Sequence, residues 1–377
     1  MGGKRVSAPV KIGIAGCGPG GTQVMFGPIL RYLENGRVTA LMDPEPAALA
    51  YMRAYCPDAA TFSDYDAFLA EAEIDAVLVA SPVFLHREQV VKAARAGKHV
   101  LCEKPMARTI GECDAMIAAC REAGVILMIA FMKRFDKSFR RAKELIDGGE
   151  LGKVFQVRCD WSWYIPETGQ EGWRARLATW GGKFQDHGSH TIDLCRWWLG
   201  DVETVSGEIR IVHSWYEVED TAVATLCHNG GAVSLHHMTT VTHKPLTEHY
   251  LIDGTKASLE IQCGPHWSYI STEPFRMTLY EHGRASHDLT LYNRPNLDEE
   301  QRASNRYLKE LEHFCECVQR QAMPLTPGEE GRAAIEAINA VYLSSWRGEK
   351  IRLPLREEPD LETPFRSMPR LMRDETS

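Results

Sequence analysis

A short apolar run, Val10 to Ala15, ends on Gly16-Cys17-Gly18-Pro19-Gly20-Gly21 and opens into a helix-like stretch. This feature constrains the fold more than any other. Glycines in a G-x-G-x-x-G pattern permit a tight turn, let the backbone approach a pyrophosphate, and pack a helix closely on a strand. The helix N-terminus adds N–H groups and the positive end of a dipole. The pattern is weak alone and gains force from context. A second apolar run, Val38 to Met42, ends at Asp43, 22 residues past Gly21, where a carboxylate can accept from both ribose hydroxyls of an adenosine. A dinucleotide site is therefore expected at Gly16, Gly18, Pro19, Gly20, Gly21 and Asp43. The carboxylate would repel a 2'-phosphate, and no Arg or Lys follows closely, so NAD is favoured over NADP.

The alternation continues with apolar runs at Ala76 to Val79, His99 to Cys102 and Val125 to Ala130, separated by Ala-, Glu- and Arg-rich stretches. Strands alternating with helices predict right-handed crossovers and a doubly wound parallel sheet over residues 8–132. Ser81, Pro82 and His86 follow the third of these strands and Glu103-Lys104-Pro105 the fourth. All fall on the carboxyl edge where a cofactor crevice would extend, although a strand-ending turn with a solvated His or Lys would look the same.

After Phe135 the character changes. A helix over Lys137 to Asp147, closed by Gly148-Gly149, leads into Val-, Thr-, Trp- and Tyr-rich runs at Val154 to Tyr164, Val202 to Val212, Thr221 to Cys227, Ala232 to Thr242 and His249 to Ile252. These read as neighbouring antiparallel strands of a large open sheet in an α+β domain over residues 133–355, with late helices at Asn305 to Gln321 and Gly328 to Arg347. Residues 356–377 read as a polar, loose tail. An open sheet rich in Trp and Val seldom faces water, so a homodimer or homotetramer through this sheet is expected.

The chain of 377 residues carries a net charge of -8, which disfavours a nucleic-acid backbone as partner and leaves a small-molecule ligand. Its eleven cysteines are scattered without paired spacing and read as reduced thiols of a cytoplasmic protein. No cleavable signal peptide and no run of membrane-spanning length is recognised.

Asp186 and His190 lie four residues apart in Gly181-Gly182-Lys183-Phe184-Gln185-Asp186-His187-Gly188-Ser189-His190-Thr191-Ile192-Asp193. On an α-helix that spacing stacks both side chains on one face, where a carboxylate can fix the tautomer and raise the basicity of an imidazole. A helix-capping Asp and a core His would share the spacing.

Taken together, the glycine fingerprint, Asp43-Pro44, Glu103-Lys104-Pro105, Arg134-Phe135 with Glu150-Leu151-Gly152-Lys153, and Asp186-x-Gly188-x-His190-x-x-Asp193 resemble the Gfo/Idh/MocA family of glucose-fructose oxidoreductase and inositol dehydrogenase-like enzymes over nearly all of residues 10–355. The resemblance implies an NAD(P)-dependent oxidoreductase acting on CH–OH in a sugar or cyclitol, with Lys104, Asp186 and His190 as the catalytic set. Lys183 and His187 depart from the family pattern, which puts specificity in doubt more than mechanism. Trp161, Trp163, Arg174, Lys183, Asp186, His187, His190 and Lys104 are the candidate substrate contacts, since aromatic faces pack on sugar C–H patches and arginines hold carboxylates. Trp161 and Trp163 equally fit a core face or a subunit interface. His236, His237, His243 and His249 are expected to bind no metal, because no cysteine or carboxylate visibly completes a ligand set. Two rival readings remain: redox-neutral glycoside cleavage or epimerisation with NAD recycled in place, and a non-catalytic dinucleotide- or sugar-sensing regulator.

Overall fold

A computed structural model describes residues 8–19, 22–166, 172–264, 274–292, 294 and 296–371. Gly20 and Gly21 therefore lie outside the described residues. The chain divides into two units. The first comprises Met1–Ala107, Gly111–Phe135 and Arg294–Arg332, and the second Arg108–Ile110, Asp136–Asn293 and Ala333–Ser377.

In the first unit β1 (Val10–Ala15), β2 (Gly36–Met42), β3 (Ala60–Phe62), β4 (Ala76–Val79), β5 (His99–Glu103) and β6 (Leu127–Ala130) form a parallel sheet in the order β3-β2-β1-β4-β5-β6. Strands β4 and β6 are buried along their whole length, as expected of a parallel sheet covered on both faces. The strand order reverses between β1 and β4, which is where such sheets open a ligand crevice.

The expected boundary at residue 132 is incomplete, because Arg294–Arg332 returns to the first unit. The reason lies in the helix Arg306–Arg320. Asn305 caps it by accepting from the Tyr307 and Leu308 N–H groups at 3.0 and 3.1 Å. Its buried stripe of Tyr307, Leu308, Leu311, Phe314, Cys315 and Val318 has helical spacing. Tyr307 meets Phe26 edge-on at 5.7 Å between ring centroids, and Gly36 makes room for the Cys315 sulfur.

The second unit holds a sheet of nine strands: β7 (Val154–Ser162), β8 (Val202–Arg210), β9 (Thr221–His228), β10 (Val233–Thr239), β11 (Thr247–Gly254), β12 (Ala257–Gln262), β13 (Arg276–Glu281), β14 (His287–Asp288) and β15 (Ile351–Arg352), ordered β14-β13-β12-β11-β7-β10-β9-β8-β15. The sheet is mostly antiparallel, as expected, with one correction. Strand β7 lies in the middle and runs parallel to β10, so it is not one rung of a simple antiparallel series. Helices Lys137–Asp147 and Ser189–Leu199 contribute to the core on one face, where Phe139 packs on Tyr250, Phe275 and Trp198 with centroids 5.1, 5.0 and 6.1 Å apart.

The other face differs from the Trp- and Val-rich surface expected. Trp161 turns into the buried side, and the outer positions carry the ion pair Arg158–Asp253 at 3.2 Å and the polar contacts His237–Asp160 at 3.1 Å and His249–Glu260 at 2.8 Å beside an exposed Val223. The tail also differs from expectation. Helix Glu362–Ser367 buries Leu361 and Phe365, and the Phe365 ring stands 5.4 Å from Tyr342 and 5.3 Å from Trp346. Two apolar side chains spaced four apart dock a segment whose composition is otherwise polar. Among the described residues no helix is long and apolar enough to cross a membrane.

Candidate active site

In the first unit three turns share one sheet edge, because the registers Ala15↔Val79 and Val79↔Cys102 align the carboxyl ends of β1, β4 and β5. Gly16, Ser81 and Lys104 therefore emerge side by side. Gly16 has φ +95°, and a Cβ there would stand 2.5 Å from the Ser81 nitrogen, so only glycine fits. A Cβ on Gly18 would meet nothing within 4 Å, which leaves the approach to its backbone open for a pyrophosphate.

Asp43 is buried and organises this loop. Its Oδ2 accepts from the Cys17 N–H at 2.7 Å and its Oδ1 from the Glu45 N–H at 2.9 Å. Burial and then the Asp43 charge push the Cys17 thiol up to about 12, so it stays protonated. Ser81 Oγ donates to Gln89 at 2.6 Å, and Pro82 precedes the helix Val83–Arg95.

His86, expected as a cofactor contact, is 1% exposed. Its Nε2 lies 2.7 Å from the Ser81 carbonyl and its Nδ1 3.1 Å from that of Pro105. It ties the Ser81 turn to the Glu103-Lys104-Pro105 turn. Desolvation lowers its proton affinity against the pull of those carbonyls. Glu103 accepts from the Lys104 N–H at 3.1 Å, and Lys104 is half-buried.

In the second unit the Asp186 segment is not a plain α-helix. Phe184–Gly188 makes a π-helical turn and the α-helix begins at Ser189, so Asp186 and His190 do not share α-helical phase. Gly188 permits the wide turn, since a Cβ would stand 2.7 Å from the Phe184 ring. The Asp186 carboxylate takes a 2.9 Å hydrogen bond from Arg174 Nε and lies 3.4 Å from His187 Nδ1. The Arg174 guanidinium also stacks on Trp173 at 4.4 Å.

His190 is 2% exposed, with its ring 5.8 Å from Trp161. Trp161 also meets His187 edge-on at 4.9 Å, and Lys183 lies over Trp163 at 5.6 Å. The second unit thus brings together seven of the expected substrate contacts: Trp161, Trp163, Arg174, Lys183, Asp186, His187 and His190.

Two further residues escape sequence reasoning. Glu219 Oε1 accepts from the N–H groups of Phe184 and Gln185 at 2.9 and 3.2 Å and from the Tyr342 hydroxyl at 2.7 Å. Burial pushes its carboxyl up to about 7. The pair Glu219-Asp220 before a strand is the signal that could have found it.

The histidine reading needs a correction too. Cys159 and Cys195 lie with His236 inside a 4.8 Å group, the two sulfurs 3.6 Å apart. The strand and the helix that bring them together are far apart in sequence. Both His236 nitrogens are engaged by hydroxyls, Thr191 Oγ1 and Ser234 Oγ, each at 2.9 Å, so the cluster is a hydrogen-bonded set.

Residues 10–131 match the model of an oxidoreductase family with an NAD-binding Rossmann fold, and residues 139–260 match a GFO/IDH/MocA C-terminal domain. The chain is 28% identical over 91% of its length to 2,7-anhydro-N-acetylneuraminate hydratase of Mediterraneibacter gnavus, covering 96% of that protein. It is 30% identical over 78% of its length to D-xylose 1-dehydrogenase (NADP(+)) 2 of Haloferax volcanii, covering 84%. Among solved structures, the aldose-aldose oxidoreductase from Caulobacter crescentus complexed with glycerol superposes with a TM-score of 0.79 at 28% identity, over 92% of this chain and all of that one. With residues 10–131 and 139–260 each matched by a model of the same family, the chain belongs to the Gfo/Idh/MocA family of NAD(P)-dependent oxidoreductases acting on the CH–OH groups of sugars and cyclitols.

Proposed function

We propose that the protein oxidises a secondary hydroxyl of a sugar, sugar acid or cyclitol with NAD, and that His190 is the acid/base group. The observation that carries this reading is the burial of His190 against Trp161, in a unit where Arg174 also holds Asp186, in a chain that also has the dinucleotide turn. When bound, the nicotinamide ring supplies the hydride acceptor. His190 takes the hydroxyl proton, and Lys104 stabilises the developing alkoxide by its positive charge. Asp186, held by Arg174, orients a neighbouring substrate hydroxyl. Asp43 favours NAD, although the Haloferax relative is named for NADP. The reaction fits a cytoplasmic enzyme with reduced thiols, assembled as a homo-oligomer.

His190→Ala is expected to lower kcat by about two to four decades with NAD affinity nearly intact, measured by NADH absorbance and by cofactor titration. Unchanged turnover removes His190 from the chemistry.

A second reading has a specific observation behind it. The Mediterraneibacter relative, matched over 91% of this chain, is named a hydratase, and hydration changes no net oxidation state. On this reading the protein oxidises its substrate transiently and returns the hydride, so product forms without net NADH. Product analysis beside the absorbance assay separates the two.

A further inference from the structure

We propose that Glu219 is a positioning residue, which grips the entry turn of the helix bearing Asp186 and His190 and places a negative charge at that helix's N-terminus. The inference rests on the reading of His190 as the acid/base group.

The first N–H groups of a helix have no partner within it and are ordinarily met by a local Ser, Thr, Asp or Asn. Here the residue before the π-turn, Lys183, makes no side-chain cap, and neither does Gly188 before the α-helix. The cap comes from more than thirty residues away. Glu219 takes three consecutive N–H groups, those of Phe184 and Gln185 on Oε1 and that of Lys183 on its backbone carbonyl at 3.0 Å. Tyr342, on the helix Gly328–Arg347, donates a further bond to Oε1. Gly182, at φ +113°, is shaped to this carboxylate, since a Cβ there would stand 2.4 Å from Oε2. Glu219 is 0% exposed, and its Oε2 takes no hydrogen bond among the described residues.

A carboxylate with one oxygen so placed is costly to bury, and a neutral amide would cap the same donors more cheaply. The charge therefore needs its own explanation. A carboxylate buried at the entry of a helical segment raises the proton affinity of an imidazole one to two turns along it, because a buried charge is little screened. Glu219 thus keeps His190 basic while fixing its helix. The other charged or titratable groups around this turn are Tyr342 from the late helix, Asp186 with its partners Arg174 and His187, Lys183, and Asp220, whose carboxylate is held by the Val212 and His213 N–H groups. Burial raises the Glu219 carboxyl to about 7, so the charge it lends the helix is present above that pH and lost as pH falls through it.

The test compares Glu219→Gln and Tyr342→Phe with the wild type in kcat, KM, NAD affinity, thermal unfolding and the pH profile. Glutamine keeps an acceptor for all three donors, so a purely structural cap would be rescued by it. A charge-dependent role predicts a folded Glu219→Gln protein with unchanged NAD affinity, kcat lowered about tenfold, and an acid limb displaced to lower pH. Removing the Tyr342 hydroxyl takes a donor from the carboxylate, raises its proton affinity and so thins its charge, which moves the acid limb the same way as Glu219→Gln, to lower pH, by a smaller amount. If Glu219→Gln does not fold, the Tyr342→Phe profile decides. Wild-type kcat and pH profile in both variants, with His190→Ala inactive, overturns the role of Glu219 and leaves the His190 reading standing. An active His190→Ala refutes both.

Discussion

Asp43 shows how one side chain serves two demands. Its position at the end of a second strand makes it the expected ribose ligand, and in the structure its carboxylate accepts the Cys17 and Glu45 N–H groups and so shapes the glycine turn. Each oxygen retains a lone pair for a ribose hydroxyl. Hydrogen bonds to a charged acceptor contribute about 1.5–3 kcal/mol apiece, so Asp43→Ala is expected to raise the KM for NAD at least about tenfold and narrow the preference against NADP. Steady-state kinetics with both cofactors checks this, and an unaltered NAD KM would show that the turn holds without it. At the same scale His86 illustrates what sequence cannot give. A histidine after a strand reads as a cleft residue until its neighbours are known, and here three backbone carbonyls absorb it.

At the scale of the element, Asp186 and His190 were read correctly as belonging to one helical segment, but the spacing was interpreted with α-helical phase. The structure has a π-turn over Phe184–Gly188, and within it the Asp186 carboxylate meets Arg174 and His187. No local pattern announces such a turn, because it is held by Glu219 from a separate strand and given room by glycines. Gly182 therefore has a defined role. Gly182→Ala combines a left-handed backbone with a Cβ 2.4 Å from the Glu219 carboxylate, and is expected to cost about 1–3 kcal/mol of stability and to lower kcat as well. Urea unfolding measures the first. A variant as stable and as active as the wild type would show that the loop relaxes without consequence. Strand β7 is a second case. Its alternating Val157, Cys159 and Trp161 named it a strand, yet its central position and its parallel pairing with β10 depend on contacts with chain more than seventy residues downstream.

At the scale of the molecule, the first unit is discontinuous. Residues 1–135 contain every strand of the parallel sheet but not the helix Arg306–Arg320, whose Tyr307 and Cys315 pack beside Phe26 and Gly36. A fragment of residues 1–135 would leave this apolar surface in water. It is expected to unfold without a cooperative transition and to bind a hydrophobic dye, while joining residues 294–332 through a short linker restores the transition. Cooperative melting of the shorter fragment in calorimetry would show that the helix is dispensable. By itself the sequence determined the two kinds of sheet, the dinucleotide turn and the helix limits around residues 137–147 and 328–347, because these depend on local periodicity, on glycine conformations and on fixed spacings of chemical groups. Only the tertiary structure decided the order of strands in the second sheet, the return of Arg294–Arg332, the docking of Phe365, and the hold of Glu219 and Tyr342 on the catalytic turn. Each of these is a contact between segments far apart in the chain, and its energy depends on side chains that become neighbours only after folding.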